Sequence, residues 1–424
     1  MANYTELWTE LGVDLDRHDQ LCLALPGLFE DVYLEQENRP DGMSYWNMLI
    51  GEIHGLRIQE LAEHRARGGK VVGTFCLYVP DEILLAAGAV SVGLCGGSQF
   101  WVPDGEKVLP RNLCPLIKAL VGAKISRTCP YFQSCDLLVG ETTCDGKKKT
   151  WEILGTFAPI YVMELPQKKE GSAQARWTGE ISALAGQIGE LTGNQITVPK
   201  LREAIEKVNR RRKALARLAA VRKNDPVPIS GRDALLVTQT AFYDDPDRFT
   251  EQVNKLCAEL EERVARGEGV IASGTPRILV TGTPMAIPNW KLHHIIETSG
   301  GVVVGEENCT GSRYYTHLVD NRGDTLPELY GCLAERYLKL NCACFTPNEA
   351  RIEDIIGLVR DYRVDGVIYY NLQFCQTYAV EFYQVERELK KAGVPVLFIE
   401  TDYSEQDIEV LRTRVQAFLE MIRK

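Results

Sequence analysis

Residues 69–98, GKVVGTFCLYVPDEILLAAGAVSVGLCGGS, decide the fold. Lys70–Phe75 is a short run rich in valine that reads as a buried strand, Pro80–Gly88 reads as a helix, and Ala89–Leu94 as a second strand. Strand, helix and strand in so short a span make a βαβ unit with parallel strands. The same grammar returns in residues 276–312, PRILVTGTPMAIPNWKLHHIIETSGGVVVGEENCTGS: a strand, a Gly-Thr turn, a proline-led helix, a glycine, a second strand, then glycine and cysteine.

Working outward, Pro115–Val121 reads as a helix and Asp136–Gly140 as a further strand in the first half. In the second half, DGVIYYNLQFC (365–375) and VPVLFIETD (394–402) read as buried strands running into loops. The expectation is a duplicated α/β fold: two similar doubly wound, Rossmann- or flavodoxin-like parallel-sheet domains at 69–170 and 275–424. An N-terminal helical segment occupies 1–68; its stretch 43–69, MSYWNMLIGEIHGLRIQELAEHRARGG, has apolar residues at helical spacing and stops at Gly68-Gly69. A helical insert occupies 171–274 and contains LREAIEKVNRRRKALARLAAVRK (201–223), whose run Arg210–Lys213 reads as a solvated helix face.

Composition bounds the class. A chain of 424 residues exceeds what one hydrophobic core usually serves, and 45% hydrophobic with 25% charged residues is ordinary for a soluble globular protein. The net charge of -10 argues against a nucleic-acid groove, which needs a basic footprint. The start, MANYTELWTELGVDLD, is polar and acidic with no apolar h-region, so no secretory signal is expected. No apolar run approaches the ~20 residues of a membrane helix. A cytoplasmic protein with no membrane partner is therefore expected, in a compartment that keeps thiols reduced.

There are thirteen cysteines, an odd number that favours metal or catalysis over disulfides. Six form two evenly spaced trios, Cys76, Cys114 and Cys144, then Cys309, Cys342 and Cys375. Several lie at the carboxyl end of an expected strand or in the loop after it, where open α/β sheets place their ligands. Cys76 in GTFCLYVPDEI precedes a helix, whose amides stabilise a thiolate; a buried core cysteine is the plain alternative. Cys114-Pro115 opens a helix in the same way, and Cys144 follows the strand DLLVG and a short ETT segment. Cys309 lies in GEENCTGSRYY, and Cys375 closes DGVIYYNLQFC. Within Cys342-Ala343-Cys344, Cys342 is favoured as ligand. Cys95, in GLCGG, corresponds loosely to Cys309 and is the leading substitute; Cys129 and Cys135 in CPYFQSC are further ligands or a redox pair. Cys22 and Cys257, in helical segments, read as core.

No C-x-x-C pair exists, which removes the main support for a zinc ribbon or a thioredoxin motif, and the ferredoxin run is absent. An iron–sulfur site between two domains, held by cysteines distant in sequence, accounts for the pattern. His293-His294 read as a non-ligand surface pair. GETTCDGKKKT (140–150) fails the P-loop pattern, because five residues separate Gly140 from Gly146 and Lys148 stands where Ser or Thr is required. The chain is not expected to hydrolyse ATP itself. Glu141, Arg313, Tyr314 and Gln376 are candidate substrate-side groups.

GTFCLYVPDEI, LPRNLCPLIK, DLLVGETTCDGKKKTWE, DGVIYYNLQFC and PVLFIETDYSEQD together resemble the 2-hydroxyacyl-CoA dehydratase and benzoyl-CoA reductase superfamily, from about residue 45 onward. The resemblance implies two α/β domains with a cysteine-held [4Fe–4S] cluster between them, reduced by a separate cluster-bearing ATPase. Dehydratase subunits of that kind use three cysteine ligands, matched here by Cys76, Cys114 and Cys375. The richer set with Cys144, Cys309 and Cys342 resembles the double-cubane [8Fe-9S] cluster proteins of the same superfamily. Those imply a homodimeric oxidoreductase that takes ATP-driven electrons from the ATPase and reduces small molecules. Lys147–Lys149 are then candidate guides for docking of that ATPase.

Overall fold

The structure, a computed structural model, describes residues 4–423. Its eight strands are β1 (Val71–Thr74), β2 (Val90–Gly93), β3 (Leu137–Glu141), β4 (Ile160–Met163), β5 (Arg277–Gly282), β6 (Val302–Glu307), β7 (Gly366–Leu372) and β8 (Val396–Thr401). They form two sheets of four parallel strands with the same order, β2-β1-β3-β4 and β6-β5-β7-β8. The central strands β1, β3, β5 and β7 are buried along their whole length, which is why they read as continuous apolar runs without alternation. β4 lies at a sheet edge and is half exposed, so Ile160–Met163 carries a weaker signal and was not expected from the sequence.

Each sheet reverses direction at its centre: β1 is followed in the chain by β2 on one side and by β3 on the other, and β5 is flanked in the same way by β6 and β7. The loops leaving β1 and β3, or β5 and β7, diverge there and leave a crevice at the carboxyl ends of the strands. Backbone contact joins the two halves at these loops. The amide of Gly97, after β2, donates to the carbonyl of Ile287, after β5, at 2.8 Å. A Cβ on Gly97 would lie 2.1 Å from the carbonyl oxygen of Ala286, so this junction requires glycine.

Residues before β1 are helical as expected, with helices Leu15–Phe29, Ser44–Gly51 and Leu56–Ala66, the last followed by Gly68 at φ +85°. They pack on the helix Gly231–Thr240 through Arg39, whose Nε donates to Asp233 at 2.8 Å, and through Trp46, whose Nε1 donates to Thr240 Oγ1 at 3.1 Å. The helices Ala173–Thr192, Val198–Val221 and Pro246–Ala265 fill the middle of the chain. They form a shared layer more than an appended insert. Val198–Val221 packs against the helix Asp81–Ala86 of the first half and the helix Leu326–Leu338 of the second.

That layer corrects the reading of Arg210–Lys213. Arg210 and Lys213 are exposed, but Arg211 and Arg212 are buried. Arg211 pairs with Asp81, and Arg212 Nη1 lies 2.7 Å from Glu82 Oε1. A helix packed on both sides must turn two of four consecutive basic residues inward. His293 also departs from its surface reading. It is fully buried, with Nε2 3.1 Å from Glu306 Oε1, and Glu306 in turn receives Arg222 at 2.7 and 2.8 Å.

Burial alone would raise the pKa of Glu306, but the Arg222 guanidinium overrides it and holds the carboxyl at about 2 against the ordinary 4.5. A depressed folded-state value contributes stability above the ordinary pKa and loses it as pH falls through the folded one. We expect about 3 kcal/mol of stability to disappear between pH 4.5 and 2 on this account. Glu306→Gln should flatten the pH dependence of urea unfolding in that window while lowering stability at neutral pH. An unchanged slope in the variant would refute the assignment.

Candidate functional site

The carboxyl ends of the two sheets face one cavity of about 580 Å³. Cys76 lies two residues beyond β1, Cys144 three beyond β3, Cys309 two beyond β6 and Cys375 three beyond β7. Cys114 immediately precedes the helix Pro115–Ile125, and Cys342 follows the helix Leu326–Leu338. All six line the cavity, together with Cys95 and Cys344. Cys129 and Cys135 do not; they flank the short helix Pro130–Ser134, and Cys135 Sγ donates to Tyr131 O at 3.1 Å. Cys257 is fully buried in the core, and Cys22 is half-buried beside His18.

Three of the lining cysteines occupy the residue before a helix: Cys114, Cys144 and Cys375. Helix amides that lack a partner point at such a side chain. The amide of Lys147 donates to Cys144 Sγ at 3.4 Å. Cys114 is shifted down by its hydrogen bond with Cys375 and, against burial, by the amides of Leu116 and Ile117. Cys342 is also shifted down, by the hydrogen bond with Cys344, with Arg313 and the Tyr378 hydroxyl, 3.5 Å from its sulfur, adding to the effect. Burial pushes Cys76 well up, Cys95 to about 11 and Cys309 to about 12.

Crowded in one chamber and raised by burial at Cys76, Cys95 and Cys309, so many thiols would repel one another as thiolates. A cationic centre among them reverses that balance, since metal coordination deprotonates a thiol outright. A single zinc ion would draw its sulfurs to roughly 3.8 Å from one another, given Zn–S bonds of about 2.3 Å. Among the described residues, no three cavity cysteines bring their sulfurs within 4.8 Å of one another. The chamber's donor set, eight widely spread sulfurs with the one carboxylate of the lining, Asp145, turned to solvent, fits a polynuclear iron–sulfur group better than one ion.

The proposed substrate-side groups separate. Gln376 lines the cavity. Glu141 is buried behind the wall, paired with Lys147. Arg313 is held by Glu307, with Nε 2.5 Å from Oε1, and by Tyr378. Tyr314 packs away from the chamber against Phe242 and beneath the Arg211 guanidinium. Lys147 departs most from its expected role. It is not a surface lysine: its ammonium is buried, bonded to Glu141 and to Phe75 O at 3.2 Å. Burial would lower its pKa, but the charge of Glu141, with Cys76 and Cys95 nearby, raises it well above the ordinary value. Lys148 and Lys149, on the outer side of the same helix, are exposed.

Lys147 and Tyr378 were missed as wall residues, yet a signal existed. Each lies three residues after a cysteine that precedes a helix, Cys144 or Cys375, and so turns to the same side as that cysteine.

Residues 76–422 match the family model described as 2-hydroxyglutaryl-CoA dehydratase, D-component. The chain belongs to that family. It is 41% identical over 370 residues, covering 87% of this chain and 94% of the other, to YjiM of Escherichia coli K12, which is named as a dehydratase subunit. It is 26% identical to the (R)-phenyllactyl-CoA dehydratase beta subunit of Clostridium sporogenes, with 84% and 92% of the two chains covered. A benzoyl-CoA reductase subunit of Thauera aromatica is 21% identical, with 82% and 89% covered. The family match opens at Cys76 itself, just after β1, and spans the seven later strands and every cavity cysteine.

Removing one member of a buried ion pair strands the other, at roughly 3–5 kcal/mol. Lys147→Met should destabilise the protein on that scale in anaerobic urea unfolding. The double variant Lys147→Met/Glu141→Met should recover much of the loss, because no buried charge is left alone. Additive losses in the cycle would show that the two side chains are not coupled.

Proposed function

We propose that this chain is an iron–sulfur reductase component of the double-cubane type, fed by a separate ATP-hydrolysing iron–sulfur protein. The convergence of eight cysteines from both halves on one chamber carries this reading. Cys76, Cys114, Cys144, Cys309, Cys342 and Cys375 would hold the cluster, with Cys95 and Cys344 beside it. When bound, such a cluster stores and delivers low-potential electrons to a small molecule.

The chain's own groups set the conditions for that chemistry. Leu77, Leu113, Ile117, Ile287 and Leu372 give the wall an apolar surface that excludes water. Among the described residues, Lys147 is the one buried charged side chain in the lining, and its fixed positive charge favours an electron-rich centre beside it. The Tyr378 hydroxyl is placed to hydrogen-bond the Cys342 sulfur, a contact of the kind that tunes cluster potential. Gln376 and Thr143 offer polar groups that can orient a small substrate. The electron donor is proposed to dock where the chamber nears solvent, with exposed Lys148 and Lys149 in place of the buried Lys147. A homodimer is proposed as the working assembly.

A single-cubane 2-hydroxyacyl-CoA dehydratase subunit is the second reading, favoured by the dehydratase names of the relatives. Iron counting separates the two, with about twice the iron per chain expected for the double cluster. We expect anaerobically prepared protein to be brown, with labile sulfide and little zinc in the cysteine chamber. Single serine replacements at Cys76, Cys114, Cys144, Cys309, Cys342 or Cys375 should lose iron or alter the EPR spectrum, whereas Cys129→Ser and Cys257→Ser should not. Stoichiometric zinc without sulfide would sink both readings.

Reduction should require the cognate ATPase, Mg-ATP and a strong reductant together. Sustained substrate reduction with dithionite alone would overturn the proposed electron route.

A further inference from the structure

Outside the lining of the chamber, a second set of metal-ligating side chains comes together. His18, Cys22 and His54 each offer a ligand atom, and these atoms lie within 4.8 Å of one another. It is the one such cluster of three among the described residues. His18 and Cys22 are one turn apart on the helix Leu15–Phe29, hence on one face of it. His54 comes from the turn between the helices Ser44–Gly51 and Leu56–Ala66.

The three ligand atoms are close enough to meet one ion after side-chain rotation. His18 Nε2 and His54 Nδ1 are 2.9 Å apart, and Cys22 Sγ is 3.5 Å from His18 Nε2. Zinc bonds of about 2.0–2.1 Å to nitrogen and 2.3 Å to sulfur put tetrahedral ligand atoms roughly 3.4 Å (N to N) and 3.6 Å (N to S) apart. Cys22 Sγ also lies 3.8 Å from His18 Nδ1, against the ring, so binding requires the His18 and Cys22 side chains to turn toward one shared point and the two rings to separate by a fraction of an ångström. The surroundings are those of a supported site. Asp19 Oδ1 lies 3.8 Å from His18 Nδ1, on the ring nitrogen that a metal at Nε2 would leave free. The Trp8 ring covers His18 at 4.2 Å, and its indole N–H donates to His54 O at 2.7 Å, which pins the turn.

The helix itself gives a reason for such a site. Leu15–Phe29 buries only His18 and Phe29 of its fifteen side chains, and Leu23 is 81% exposed. Leu21, Leu25 and Leu28 pack partly buried against the core, and the helix has, at its most deeply buried position, an imidazole facing another imidazole and a thiol.

We propose that His18, Cys22 and His54 bind a zinc-class divalent ion that staples the helix Leu15–Phe29 to the His54 turn, with water in the fourth position. Two imidazoles and one thiolate are a borderline donor set suited to Zn(II), unlike the sulfur-rich chamber. Binding replaces the Cys22 thiol proton, which leaves to solvent, and no electrons move. The site is independent of the iron–sulfur reading.

The test uses the full chain, prepared anaerobically, and Zn(II) as probe. Crystals grown with Zn(II), measured on both sides of the zinc absorption edge, should show an anomalous peak touching the three side chains. Chelator competition should show a zinc affinity that falls by at least about 100-fold in Cys22→Ser and in His54→Gln, beyond what supporting residues alone cause. Zinc should raise the melting temperature of the parent protein and not that of the variants. A peak confined to the cysteine chamber, or none between His18 and His54, would reduce the cluster to a hydrogen-bonded packing contact and overturn the proposal. So would a zinc affinity unchanged by both substitutions. The parent crystal decides the matter even if a variant fails to fold.

Discussion

The chamber exists because two sheets that never share a strand are held at one fixed orientation, and a buried polar knot does the holding. Glu82 belongs to the first half, Arg212 to the middle helix and Tyr337 to the second half. Arg212 Nη1 sits 2.7 Å from Glu82 Oε1, the Tyr337 hydroxyl donates to Glu82 Oε2 at 2.7 Å, and Arg212 Nη2 donates to the tyrosine oxygen at 3.1 Å. All three are essentially without solvent contact. Desolvation makes such a group costly to disturb: the Arg212 charge offsets that of Glu82, while Glu82 Oε1 and Arg212 Nε have no hydrogen-bond partner to spare. Apolar contact alone would tolerate sliding of one half on the other. A buried ion pair with its tyrosine does not, since a shift of an ångström or two leaves a bare buried ion.

Fixed halves then turn a topological fact into a chemical one. Parallel strands deliver every connecting loop of one kind to the same end of the sheet. Duplication of the unit and apposition of the two carboxyl ends bring eight cysteines, spread from residue 76 to residue 375, to one wall. Gln239, Phe242 and Tyr243, at the end of the helix Gly231–Thr240 and just after it, complete the wall, so the thiols stand in a largely apolar space. Whatever centre they hold is tuned by few charges, chiefly Lys147 from the first half and, behind Tyr378, Arg313 from the second.

Much of this was legible beforehand, and the failures share one cause. The central strands β1, β3, β5 and β7 announced themselves because both of their faces are buried; β4, at an edge, did not. The cysteine trios stood out because strand-end position follows from local sequence. Arg211, Arg212, Lys147 and His293 were read as surface groups because each lies in a polar stretch, and a polar stretch gives no sign of which residues turn inward. Their burial is set by partners 130, 130, 6 and 13 positions away in the chain, among which only the near ones could have been suspected. Tyr314 failed in the opposite sense: next to a cavity cysteine loop in sequence, it points into the layer of the middle helices.

The sequence by itself determined the secondary structure, the duplication and the residues that end up at strand ends, because these depend on hydrophobic period and on turn and capping residues a few positions apart. Only the tertiary structure decided that the two trios, with Cys95 and Cys344, share one chamber, that Cys129 and Cys135 stand outside it, and that Lys147 faces inward against Glu141. Those outcomes depend on how the halves are oriented, and orientation is fixed by contacts such as Glu82–Tyr337, whose members lie 255 residues apart and carry no local mark of pairing.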